Sequence, residues 1–144
     1  QVFREWVLSG KFLPGLNRLK PEQRWGSSRF DFYFEGNGLR GFVEIKGVTL
    51  ERDGYACFPD APTERGVKHL EELIACQREG YEAYVCFVLQ MAGMRQFAPN
   101  DVTHPAFGAA LRRAAESGVK VLARECQVTP DTLEITGAVP VNLE

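Results

Sequence analysis

The chain has 144 residues, 44% of them apolar and 25% charged, with a formal net charge of −2. That is enough chain for one well-cored domain, taken as residues 1–144, and too short for two of ordinary size; the mild acidity excludes a broadly basic, nucleic-acid-coating surface while permitting a local basic site. No apolar run approaches a membrane span and no signal peptide is recognisable, so the expected setting is the cytoplasm with no membrane partner, although a segment ahead of Gln1 is not excluded.

Residues 1–9 place Val2, Phe3, Trp6 and Val7 on one helical face, with Gly10 as a stop. Lys11 to Pro21 reads as a loop around Pro14-Gly15, and Glu22 to Trp25 as a short strand that Gly26-Ser27 breaks. Ser28 to Leu50 then reads SRFDFYFEGNGLRGFVEIKGVTL, two alternating strands around Asn37-Gly38, a strong hairpin signal. With those two residues as the turn, Gly36 opposes Leu39, Glu35 opposes Arg40, Tyr33 opposes Phe42, Asp31 opposes Glu44 and Arg29 opposes Lys46. Side chains alternate across a strand, so Phe30, Phe32 and Phe34 share a core face with Val43 and Ile45, and Arg29, Asp31, Glu44 and Lys46 share the other.

Glu51 to Pro62 follows as an irregular loop in which Pro59-Asp60 is a loop dipeptide, as is Pro130-Asp131 later. Thr63 caps a helix running to about Glu79 and ended by Gly80, with Val67, Leu70, Leu73 and Ile74 as its apolar stripe. Tyr81 to Gln90 is a near-continuous apolar run, the signature of a strand buried on both faces and reached by a crossover. After a loop over Met91 to Val102, Pro105 to Ser117 forms a second helix that buries Phe107, Leu111 and Ala114, and Gly118 closes it. Val119 to Glu125 adds a strand and Thr132 to Ile135 an edge. The order α-β-β-β-α-β-α-β describes an α/β domain with a mixed β-sheet flanked by helices. Cys57, Cys76, Cys86 and Cys126 form no C-x-x-C pair, and His69 and His104 do not complete a zinc set, so buried free thiols are expected ahead of disulfides.

The charged face of the hairpin admits two readings. Directly opposed residues have Cβ atoms about 4.5–5.5 Å apart, and like charges so placed repel. Opposed Asp31 and Glu44 become coordination once a divalent cation lies between them, since Mg²⁺ takes one or two carboxylates plus waters and phosphate oxygens. A solvated ladder, with Arg29 and Lys46 neutralising the acids diagonally, meets the same pattern without function. Glu22 is a third acid within reach of that face, or a solvated loop acid. Arg65 and His69 lie four apart near a helix N-terminus, which suits phosphate, and equally suits a surface arginine and a packed histidine.

An acid on one strand followed on the next by acid-x-Lys, here Glu44-Ile45-Lys46, is the pattern of the PD-(D/E)xK nuclease superfamily, whose restriction-endonuclease-like core runs α-β-β-β-α-β. Phe30 stands where the superfamily pattern has proline, a position that shapes backbone rather than supplying ligands. More widely, SRFDFYF, FVEIKGVTL, YACFPDAPTERGVKHLEEL, YVCFVLQ, RQFAPN and VPVNL resemble, in this order, the sugar fermentation stimulation protein A (SfsA) family over nearly the whole chain. Members of that family carry an OB-fold domain ahead of the nuclease-like one, and no five-stranded barrel fits before Ser28, so the resemblance is to the C-terminal domain alone.

The resemblance implies that Asp31 and Glu44 ligate Mg²⁺ or Mn²⁺, with the backbone carbonyl of Ile45 as a further ligand and Glu22 holding a second metal or positioning water. Lys46 would orient the attacking water or stabilise the phosphate, and Arg29, Arg65 and His69 would lie on the phosphate side, with Thr63 capping the helix that faces the site. The implied reaction is hydrolysis of a DNA or RNA phosphodiester. The alternative is a DNA-binding regulatory protein on the same fold with little or no catalysis, and a third reading is a plain α/β scaffold. Nucleic acid, DNA ahead of RNA, is the expected partner, and a homodimer is compatible with the sequence.

Overall fold

The computed structural model describes residues 6, 12, 15–128 and 133–144. Nine strands and two helices follow one another there: β1 (Leu16–Trp25), β2 (Ser28–Gly36), β3 (Leu39–Val48), β4 (Leu50–Arg52), β5 (Tyr55–Phe58), α1 (Glu64–Arg78), β6 (Glu82–Leu89), β7 (Gln96–Pro99), α2 (Pro105–Ser117), β8 (Lys120–Val128) and β9 (Leu133–Ala138). Six strands form a mixed sheet in the order β1-β2-β3-β6-β8-β9, and β4-β5-β7 form a second, smaller sheet. Strands β3, β6 and β8 are parallel, whereas β1, β2 and β9 run antiparallel to their neighbours. No described helix is long and apolar enough to cross a membrane.

The hairpin of β2 and β3 turns at Asn37 and Gly38, both with positive φ (53° and 76°), the geometry for which Asn-Gly is suited. Its register pairs Gly36 with Leu39, Glu35 with Arg40 and Tyr33 with Phe42, as the alternation predicts. Strand β6 is parallel to β3 and buried on both sides, as a continuous apolar run requires. Val85, Phe87 and Leu89 face the helices together with Leu70, Leu73, Phe107 and Leu111, while Tyr84, Cys86 and Val88 pack on the other side with Phe32, Phe34 and Val43. All four cysteines are free, three of them buried and Cys57 partly so.

Both helices match their local signals. Thr63 caps α1, its Oγ1 accepting the Gly66 N–H at 3.0 Å, and Gly118 closes α2 at φ 109°. The chain end is tied down across the small sheet. Val141 bridges Phe97 of β7, and Arg112 Nε of α2 donates to the Leu143 carbonyl at 2.6 Å.

The element order departs from the expected α-β-β-β-α-β-α-β. The expected loop over Lys11 to Pro21 is, from Leu16 on, the first part of a ten-residue edge strand. Its polar run LNRLKPEQRW shows no clean alternation because most of its side chains are exposed. The expected loops at Glu51–Pro62 and Met91–Val102 hold β4, β5 and β7, whose parallel partnership (Tyr55 with Gln96) joins segments far apart in sequence. The N-terminal helix expected over residues 1–9 lies outside the described residues except for Trp6, which is helical and buried. Pro130-Asp131 and Thr132 also lie outside them.

The parallel contact of β3 with β6 requires a glycine at 41. Gly41 pairs with Glu82, and a Cβ there would collide with the Glu82 carbonyl oxygen. Gly41→Val is expected to cost roughly 1–3 kcal/mol in urea unfolding, as overpacking does. Gly47→Ala, whose new Cβ meets only the flexible Gln90 side chain at 3.1 Å, is expected to stay within about 0.5 kcal/mol.

Candidate metal and phosphate site

The ladder between β2 and β3 ends at the pair Phe32–Val43. Beyond it the strands part, and the Asp31 side chain enters the gap: Oδ2 accepts the Ile45 N–H at 2.6 Å. The parting also redirects Phe30. Phe32, Phe34, Val43 and Ile45 share one cluster as expected, whereas Phe30 packs in the helix-side cluster against the Phe42 ring (5.4 Å between centroids) and the His69 ring (6.1 Å).

Glu44 is not on a solvated face. It is 4% exposed and points toward α1, so the reading as a surface ladder does not describe this geometry. Its Oε2 takes two partners, the Nζ of Lys46 at 3.1 Å and the Nδ1 of His69. A carboxylate only accepts, so the His69 nitrogen carries the proton it shares. His69 is 6% exposed and comes from the second turn of α1.

The electrostatics of the two acids diverge. Burial, then the hydrogen bond and charge of Glu44, push the Asp31 carboxyl up to about 6, against the lowering effect of the Ile45 N–H and Lys46. Burial also raises Glu44, but hydrogen bonds from His69 and Asp31 and the charge of Lys46 outweigh it and hold that carboxyl at about 2. The pair therefore keeps one proton below about pH 6, on Asp31.

The other predicted residues stand around this centre at different removes. Glu22 is exposed and lies between the pairs Pro21–Phe32 and Gln23–Phe30, across the strand from Asp31. Its φ of 53° is unusual for a non-glycine residue within a strand. Arg29 is exposed at the start of β2, opposite Arg24. Thr63 caps α1 and gives its own N–H to His104 Nδ1 at 3.1 Å, which ties the N-terminal ends of the two helices together. Arg65 is exposed one turn ahead of His69. The structure thus gathers Asp31, Glu44, Lys46 and His69, while Arg29, Arg65 and Glu22 remain at the surface. The reading of His69 as phosphate-side missed its contact with Glu44. Gly66, His69 and Leu73, buried at helical spacing, carried that signal.

The donor set suits a hard cation. Two carboxylates converge, and Mg²⁺ commonly uses one or two and keeps its waters. Among the described residues no three His, Cys, Asp or Glu side chains are placed to hold one metal ion, so a closed protein cage of the zinc type does not fit.

Comparisons with known proteins agree on one family. The sequence profile described as "Sugar fermentation stimulation protein RE domain" matches residues 1–132. The chain belongs to the SfsA family. Sugar fermentation stimulation protein homologs of Desulfitobacterium hafniense and Clostridium beijerinckii are 53% and 50% identical to it over 143 residues, 99% of this chain. The chain spans 62% and 63% of the length of those two proteins. Among solved structures, Pyrococcus furiosus SfsA in complex with Ca²⁺ matches with a TM-score of 0.88 at 30% identity, over 96% of this chain and 62% of that one. The mixed α/β fold, with its multistranded sheet and the two helices among the described residues, is therefore that of SfsA.

The raised Asp31 carboxyl sets a sign for stability against pH. The folded chain holds that proton more tightly than the unfolded one, so its contribution is complete below about pH 4 and is lost as pH rises through about 6. Glu44 acts in the opposite sense, stabilising above its ordinary range and failing only near pH 2. Asp31→Asn keeps an acceptor for Ile45 and removes the ionisation. In chelator, its melting temperature is expected to exceed that of the unsubstituted chain at pH 8 and to converge with it near pH 4.

Proposed function

We propose that this SfsA chain carries a metal-dependent nuclease-type site that hydrolyses a phosphodiester bond of DNA or RNA. The observation that carries the reading is the convergence of Asp31 and Glu44 at the parting of β2 and β3, with Lys46 Nζ 3.1 Å from Glu44. The order β1-β2-β3, then α1 and β6 after the short strands β4 and β5, with acid-x-Lys on β3, supports a restriction-endonuclease-like core of the PD-(D/E)xK kind. A relative at 30% identity takes Ca²⁺, a cation that prefers oxygen ligands, the donor type offered here.

In this reading Asp31 and Glu44 hold Mg²⁺ or Mn²⁺, with the Ile45 carbonyl as a further ligand and Glu22 at the margin. The bound cation supplies Lewis-acid polarisation of the phosphate and acidification of water. Ile45 fixes one oxygen of Asp31 through its N–H, and His69 fixes one oxygen of Glu44, so neither carboxylate has to reorganise when charge develops. Lys46 is the cation nearest to that centre and is positioned to orient water or meet the phosphate. Arg29 and Arg65 would take flanking phosphates and Thr63 would keep the α1 terminus in place, with DNA ahead of RNA as substrate. A homodimer and a cytoplasmic setting accompany the reading.

One observation favours a second reading, a DNA-binding regulatory protein that does little chemistry: Lys46 is engaged with Glu44 and mostly buried rather than free. Turnover separates the two. Labelled single- and double-stranded DNA and RNA are to be incubated with Mg²⁺ or Mn²⁺. Cleavage is expected from the unsubstituted chain, with Glu44→Ala and Lys46→Ala each losing about a hundredfold or more. In parallel calorimetry, Mn²⁺ binding is expected to vanish in Glu44→Ala and persist in Lys46→Ala. Metal binding without cleavage would leave the regulatory reading, and no metal binding at all would remove both in favour of a plain scaffold.

A further inference from the structure

The small sheet lies beyond the carboxyl ends of the central parallel strands. Strand β3 leads into β4 after Val48, and β6, whose Leu89 pairs with Val48, leads through Gln90 toward β7. Ligands of open α/β sheets collect at this edge. Arg52 is six residues beyond Lys46, which at ~3.3 Å per residue places it no more than about 20 Å away along the chain.

One face of the small sheet belongs to the core, through Ala56 and Phe97, which are fully buried and adjacent in register. Alternation gives the opposite face Arg52, Tyr55, Cys57, Gln96 and Ala98, since Arg52 pairs with Tyr55, Tyr55 with Gln96 and Cys57 with Ala98. Tyr55 is 39% exposed, and it is the exposed aromatic side chain among the described residues. The Arg95 guanidinium lies 5.9 Å from its ring centre. The frame beneath is fixed: Arg95 N–H donates to the Gly54 carbonyl at 2.8 Å, and the Glu51 carboxylate accepts the Gly54 N–H at 2.8 Å. Glu51 pairs with Ala56 and so belongs to the other side.

A ring presented at the surface, with the Arg95 guanidinium over it and Arg52 beside it in register, matches an unpaired base and its neighbouring phosphates. Base–aromatic stacking tolerates any base but needs it out of a duplex, and arginine adds phosphate contact and cation–π attraction. We propose that Arg52, Tyr55 and Arg95 form a stacking platform for single-stranded nucleic acid, on the continuation of the strand that carries Glu44 and Lys46. It rests on the nuclease-type reading and names the substrate class of that site: a strand with unpaired bases.

The test is fluorescence anisotropy in chelator and low salt, with a labelled single strand of about twelve nucleotides and its duplex. The single strand is expected to bind more tightly than the duplex. Tyr55→Ala is expected to weaken it about tenfold, with Tyr55→Phe within about twofold of the unsubstituted chain, because the phenyl ring still stacks. The double variant Arg52→Ala/Arg95→Ala is expected to flatten the dependence of log K on log salt by about 1.4. Tyr55→Ala binding as tightly as the unsubstituted chain, preference for duplex, or no binding at all would each overturn the platform. Because no metal is present, failure of cleavage with these effects intact would sink the catalytic reading alone, and cleavage with Tyr55 indifferent would sink the platform alone.

Discussion

A carboxylate held inside the fold sets the terms for much of what surrounds it. Withdrawing Glu44 from water costs several kcal/mol unless its carboxylate is partnered, and the chain partners it twice, once locally and once at a distance. Lys46 is local, two residues along the same strand. His69 is not: it belongs to α1, so the hydrogen bond it gives Glu44 also fixes the rotation of that helix on the sheet. Leu70 and Leu73 would press α1 against β6 at several rotations, and a single buried acceptor selects among them.

The parting of β2 and β3 is the other half of this arrangement. A ladder that continued past Phe32 and Val43 would consume the Ile45 N–H in ordinary strand pairing; instead a side chain takes it. Asp31 is thereby brought close enough to Glu44 that the two cannot both ionise at no cost, which is the electrostatic condition a cation relieves. The same parting lets Phe30 turn toward the helices and pack against the His69 ring. Backbone irregularity, acid pair and aromatic support are thus one feature seen from three sides.

What could be read from the sequence follows from how local each cause is. Helix α2 was legible to the residue, because Pro105 and Gly118 mark its ends chemically and Phe107, Leu111 and Ala114 recur at helical spacing. The hairpin register was legible from Asn37-Gly38 as far as Phe32 and Val43, but the expected pairs of Asp31 with Glu44 and Arg29 with Lys46 lie past the point where the strands part. The alternation was enough to set Asp31, Glu44 and Lys46 near one another, but neither the parting of the strands nor their burial under α1 could be read from it. Of strand β1 only Glu22 to Trp25 was legible; the part from Leu16 escaped because its exposed edge needs no apolar alternation. Strands β5 and β7 escaped for a different reason: each is four residues long, and each is stabilised by a partner that no local window contains. The His69 contact belongs to the same class, being a matter of docking rather than of propensity.

The strap formed around Val141 and Leu143 has a consequence for how the protein is made. The small sheet draws together β4 and β5, then β7, and finally Val141 beside Phe97, with Leu143 held by Arg112. Contacts that span so much of the chain carry a large loop-closure cost and form late. On the ribosome, the hairpin of β2 and β3 has its own partner as soon as it emerges, whereas β7 waits for residues near position 141 before its second edge is covered. The surface beyond the carboxyl ends of β3 and β6 is therefore completed later than the hairpin.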